Sequence, residues 1–171
     1  MSLKDTVAAW DGKSVKAIAE IYDANKADLT FGSRLIRSLG DPECERGITW
    51  LIKHHLEQGW LPQSTDETSA VLNALPHTTH WEARLHVLQC LPYLTIPLEQ
   101  VKPVQVHLQN AILDDAKFVR AWAYHGLYVL ASQHPDFQET AGDILKKARE
   151  TEAAASAKVK IRRALKALGI D

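Results

Sequence analysis

Eight histidines and two cysteines are the side chains of this chain best suited to metal ligation or nucleophilic chemistry. His54 and His55 are adjacent, and His77 and His80 stand three apart in the loop-like stretch His77-Thr78-Thr79-His80, with only Glu82 nearby as an acid. A metal site needs three or four converging ligands of suitable type, and neither group supplies them, so no metal is expected. Cys44 and Cys90 sit far apart within helix-like apolar patterns, which reads as two reduced, buried thiols rather than a disulfide framework or a pair of nucleophiles. No Gly-x-Ser-x-Gly elbow, glycine-rich phosphate loop, His-Glu-x-x-His run or framed pair of carboxylates occurs. No catalytic residue and no cofactor are therefore assigned, and a non-enzymatic role is favoured with enzymatic activity left open.

What remains is recognition chemistry, and the elements that carry it are helical. The 171 residues suit one domain, 1–171, and their 46% hydrophobic and 24% charged content is that of an ordinary folded domain. A formal charge of −1 gives no global field towards nucleic acid or anionic membrane, so any basic surface is local. No run of about 18 apolar residues occurs, and the start Met-Ser-Leu-Lys-Asp-Thr lacks the regions of a signal peptide, so a cytoplasmic protein is expected, without membrane contact. Apolar residues recur at three- and four-residue steps, with no period-two alternation between hairpin turns, which predicts an all-α fold of roughly ten helices. Ser64 or Thr65 with Glu67 resembles a capping box, and Pro42, Pro97 and Pro135 suit first helical turns. Pro103, inside the segment Leu98 to Leu113, predicts a kinked helix.

The helices repeat. With Arg120 as origin, the positions three, six, seven and ten residues on are Ala123, Gly126, Leu127 and Leu130. Origins at Arg84 and Lys158 give Val87, Cys90, Leu91 and Leu94, and Ile161, Ala164, Leu165 and Leu168. An origin at Glu45 gives Ile48, Leu51, Ile52 and the single polar departure His55. Each such helix follows another amphipathic segment (Leu29 to Leu39, Ser69 to Leu75, Leu98 to Leu113, Phe137 to Ala148), the pattern of a stack of antiparallel helical hairpins.

Asp114-Asp115-Ala116-Lys117-Phe118-Val119-Arg120 resembles the HEAT-repeat family, whose two-helix units carry an Asp in the internal turn and a Val-Arg pair opening the second helix. Gly40-Asp41-Pro42-Glu43-Cys44-Glu45-Arg46 resembles it with the arginine one place late; Trp81-Glu82-Ala83-Arg84 keeps the arginine without the aspartate, and Ser156-Ala157-Lys158 substitutes lysine. The resemblance covers residues 28–168. It implies an armadillo-like, right-handed α-α superhelix of about five hairpins, about four of them HEAT-like. Residues 3–26 add a capping hairpin whose buried stripe is read as Val15, Ile18, Ala19 and Tyr22.

In that register the opposite flank of the second helices lines the concave side. Its columns are Gly47, His86, Trp122, Lys160; Trp50, Gln89, His125, Arg163; Lys53, Pro92, Tyr128, Lys166; and His54, Tyr93, Val129, Ala167. Aromatic and cationic groups without an acid suit recognition, because rings supply contact area at low entropy cost. Alternatively, the same rings pack against one another across the groove. The candidate binding residues are Trp50, Lys53, His86, Tyr93, Trp122, His125, Tyr128 and Arg163, and the expected function is a scaffold or adaptor for a protein or peptide partner. The family resemblance also admits a nucleic-acid-binding or base-repair protein, and, further off, an enzyme resembling the pigment lyases. A separate feature is the run from Lys158 to Lys166, where Lys158, Lys160, Arg162, Arg163 and Lys166 concentrate positive charge. Helix-end charge, a solvated face, an acidic partner and nucleic acid are its competing explanations.

Overall fold

A computed structural model describes residues 2–170, and among them every regular element is helical. Ten α-helices and four short 3₁₀ turns form, in two compact units that divide between Leu94 and Thr95.

The first unit contains α1 (Leu3–Ala8), α2 (Val15–Asn25), α3 (Phe31–Arg37), α4 (Glu45–Glu57), α5 (Thr65–Leu72) and α6 (Trp81–Cys90). Serines start three of these helices by accepting an otherwise orphaned backbone N–H: Ser2 from Asp5, Ser14 from Ala17 and Ser64 from Glu67. The Glu67 carboxylate accepts from the N–H of Gln63 at 2.7 Å rather than from Ser64, so the expected capping box is closed one residue upstream. Val15 departs from the expected buried stripe. As the first residue of α2 it is 66% exposed, whereas Ile18 and Tyr22 face the core.

Helix α4 is the centre of this unit and packs most extensively on α6. Ile48, Leu51, Ile52 and Leu56 are buried, and so is His55, the polar departure from the register. Its Nδ1 lies 3.2 Å from the Tyr22 hydroxyl and its ring stacks on Trp60 at 4.9 Å. Burial lowers the His55 pKa, so a neutral ring with its own hydrogen-bond partner occupies a core position. Gly59, with φ +92°, turns the chain at the end of α4, and the N–H of Trp60 donates to the carbonyl of His55 at 3.1 Å. Gly47 serves a different need: a Cβ there would lie 2.4 Å from Val7 Cγ1, so only glycine lets α1 approach this closely.

The second unit contains α7 (Val101–Ala111), α8 (Lys117–Gln133), α9 (Gln138–Thr151) and α10 (Ala155–Ala167). Helix α8 buries Val119, Ala123, Leu127 and Leu130 completely and packs most extensively on α10. Pro103 does not kink a helix as the sequence predicts. A 3₁₀ turn over Leu98–Gln100 precedes α7, which makes Pro103 its third residue, where the missing N–H is one of the orphans of a first turn. Of the twelve apolar register positions, all but the half-exposed Leu168 are buried.

Both units tie one long helix to the next through a carboxylate. In the first, Glu45 at the start of α4 is 5% exposed and accepts from the Thr79 N–H at 2.9 Å, the Thr79 hydroxyl at 2.6 Å and the His80 N–H at 2.6 Å, fixing the start of α6. Arg46 beside it pairs with Glu82 of α6. In the second, Arg120 of α8 grips Glu152, ahead of α10, through two bonds of 3.0 and 3.1 Å. Its remaining nitrogen donates to the carbonyls of Asp114 and Asp115, not to their carboxylates. Hydrogen bonding from Arg120 holds the Glu152 carboxyl below the usual carboxylate range.

Candidate functional site

The eight candidate residues fall four in each unit. In the second unit, Trp122, His125 and Tyr128 follow one another at three-residue spacing along α8, each half-buried. The His125 ring meets Trp122 edge-on at 5.2 Å and Tyr128 at 5.7 Å. Lys160, from α10, places its Nζ 3.7 Å from the centre of the Trp122 ring, a close cation–π contact. Burial, and then the neighbouring Arg163, lower the Lys160 pKa. The Arg163 side chain itself is exposed. Burial first, and Lys160 second, push His125 down to about 4, so this imidazole is neutral at pH 7 and acts as a ring and hydrogen-bonding group rather than a third cation.

In the first unit the same residue types satisfy one another. Trp50 stacks on His54 at 4.8 Å, and the Tyr22 ring meets His54 edge-on at 4.5 Å. Lys53 lies 5.7 Å from the Trp50 ring and pairs with Glu57 at 3.2 Å, one turn further along α4. Nδ1 of His86 lies 3.1 Å from the Thr49 hydroxyl, and burial pushes this histidine down to about 3. Tyr93 stands 42% exposed in the 3₁₀ turn Leu91–Tyr93, where the tighter winding replaces the last turn of α6. The two thiols are buried; Cys90 donates to the carbonyl of His86 at 3.2 Å, and burial raises its pKa. Among the described residues no three of His, Cys, Asp and Glu come together as a metal site, and no helix is long and apolar enough to cross a membrane.

Sequence reasoning left two of the deciding residues out of the candidate set. Lys160 shares a register column with Trp122, and that shared column was the signal for their contact. Glu57 lies one turn beyond the columns considered, so its neutralisation of Lys53 went unread. The second unit thus presents a ring platform with cations on it and, among the described residues, no acid paired with Lys160 or Arg163, a surface able to hold an anionic or aromatic group. No family model, curated protein or solved structure matches this chain.

Proposed function

We propose that this protein is a non-enzymatic scaffold or adaptor that holds a peptide or protein partner on the face of α8 and α10. The observation that carries the reading is Lys160 seated on Trp122, continued along α8 by His125 and Tyr128 and flanked by the exposed Arg163. Partly exposed rings held rigidly on helices bind at low entropy cost, and unneutralised cations beside them select acidic or aromatic partner groups. The dominant packing of α4 on α6 and of α8 on α10 supports HEAT-like hairpins stacked within each unit, because inner helices of successive repeats are the ones that meet. Two free, buried thiols suit the reducing cytoplasm.

The test is capture from the host lysate at low and moderate salt by the wild-type chain and by Trp122→Ala/His125→Ala/Tyr128→Ala. A protein retained by the wild type and lost by the variant supports the reading. Equal retention by both overturns it and makes these rings packing residues. Retention of nucleic acid alone, released by moderate salt, replaces it with a nucleic-acid-binding function.

A further inference from the structure

Helix α10 carries one of its cations, Lys158, towards the end where its own dipole opposes it. A helix N-terminus is positive, and acids or side-chain caps ordinarily settle there. The first turn of α10 has no acid and its N-cap, Ala154, supplies no side-chain bond, yet Lys158 is already the fourth residue of the helix. Glu152 accepts the Ala154 N–H at 2.8 Å, but its carboxylate is also gripped by Arg120. Helix-end stabilisation therefore accounts for Lys166 in the last turn but not for Lys158.

The cations nearest that end line a cleft. A cavity of about 390 Å³ between α9 and α10 is bounded by Arg149, Lys158 and Arg162, with Ala155, Val159 and Ile161 as its apolar wall. Ala155, Lys158, Val159 and Arg162 recur at three- and four-residue steps, so they share one side of α10. Neither Lys160, which sits on Trp122, nor Arg163 lines this cleft, which separates it from the aromatic face. Among the described residues Lys158 and Arg162 have no carboxylate partner, and Arg149 is bonded only through Nε to its neighbour Glu150, at a long 3.3 Å on the surface. Like charges converge here on a space that no side chain fills.

We propose that this cleft binds a phosphate monoester carried on an apolar group. Three cations match a dianion better than a single carboxylate, and two guanidinium groups can each hold phosphate oxygens in pairs. The Ala155 and Val159 side then receives the ester's hydrocarbon portion, and the anion also answers the uncapped end of α10. The source of the ester is a small aryl or alkyl phosphate or a phosphorylated side chain.

The experiment is a titration of the full chain, followed by amide NMR shifts, with phenyl phosphate, inorganic phosphate, a phosphotyrosyl peptide and vesicles rich in phosphatidylserine. Saturable phenyl phosphate binding at least tenfold tighter than inorganic phosphate is expected, with shifts centred on α9 and α10. It should weaken tenfold or more in Arg149→Gln/Arg162→Gln and persist in Lys166→Gln and in Trp122→Ala, the last separating this site from the peptide face. A peptide much tighter than phenyl phosphate assigns the source to a phosphoprotein, and comparable affinities assign it to a small ester; both support the site. Equal affinity for inorganic and phenyl phosphate, equal loss in Lys166→Gln, or binding to vesicles alone overturns it.

Discussion

In the first unit Trp50 lies flat on His54, and Lys53 is held by Glu57; in the second, Trp122 carries Lys160, and the neighbouring Arg163 is exposed, without a carboxylate partner among the described residues. Both arrangements use tryptophan, histidine and lysine from the same flank of the register, though from different columns. The difference is one acid a turn away and a lysine contributed by the neighbouring helix. Rings on a helix flank are thus not a binding surface by themselves; what decides is whether their polar neighbours have been neutralised within the fold. The carboxylate ties show the same divergence. Glu45 is a buried anion satisfied chiefly by backbone N–H groups, whereas Glu152 is satisfied by a guanidinium.

The comparison can be tested first where the units should agree. Leu51→Ala in α4 and Leu127→Ala in α8 remove fully buried side chains, and each should cost about 2–5 kcal/mol in urea unfolding. His125→Ala should cost about 1 kcal/mol, because its ring is only half-buried. Equal costs for His125 and Leu127 would show that the binding flank of α8 is core.

The ties should then differ. Glu45→Ala strands two backbone donors at the start of α6 and should cost about 3 kcal/mol, with amide exchange accelerated over residues 79–84. Arg120→Ala leaves Glu152 with its Tyr124 and Ala154 contacts and should cost about 2 kcal/mol. A smaller loss at Glu45 than at Arg120 would reverse the ranking.

The faces should differ in binding more than in stability. Lys160→Met should weaken partner binding tenfold or more while leaving the melting temperature within a few degrees, whereas Lys53→Met should leave binding unchanged. The smallest effect is on pH dependence. His86 and His125 have folded values of about 3 and about 4, below the ordinary histidine value, so their stabilising contribution is complete above that value and is lost as the pH falls. Stability should therefore drop between pH 7 and 5, and His86→Gln/His125→Gln should flatten that part of the profile. Glu152→Gln should lower stability by a constant amount between pH 7 and 5, leaving the slope there unchanged, and flatten the profile only at lower pH, because the lowered carboxylate contributes above its unfolded value and loses that contribution on protonation.

Much of the fold was legible because burial imposes a period on a helix. The columns starting at Glu45, Arg84 and Arg120 give buried positions throughout, and even His55 belongs to the core. Pro103 was misread because its effect depends on where its helix begins, and a 3₁₀ turn moved that beginning. Val15 was misread for the related reason that a first-turn residue can leave the buried stripe. The candidate rings were legible as types, whereas their partners were not: Lys160 is 38 residues from Trp122, and Thr49 is 37 from His86.

The sequence by itself determined that this chain is helical, where most of its helices turn inward, and which side chains are left for recognition, since local periodicity and capping act over a few residues. Only the tertiary structure decided which of those side chains remain open. Pairing Lys53 with Glu57 depends on rotamers, seating Lys160 on Trp122 depends on the approach of two helices, and opening a basic cleft beside α10 depends on the packing of α9. The last two are distances between elements, and no periodicity along one element encodes them.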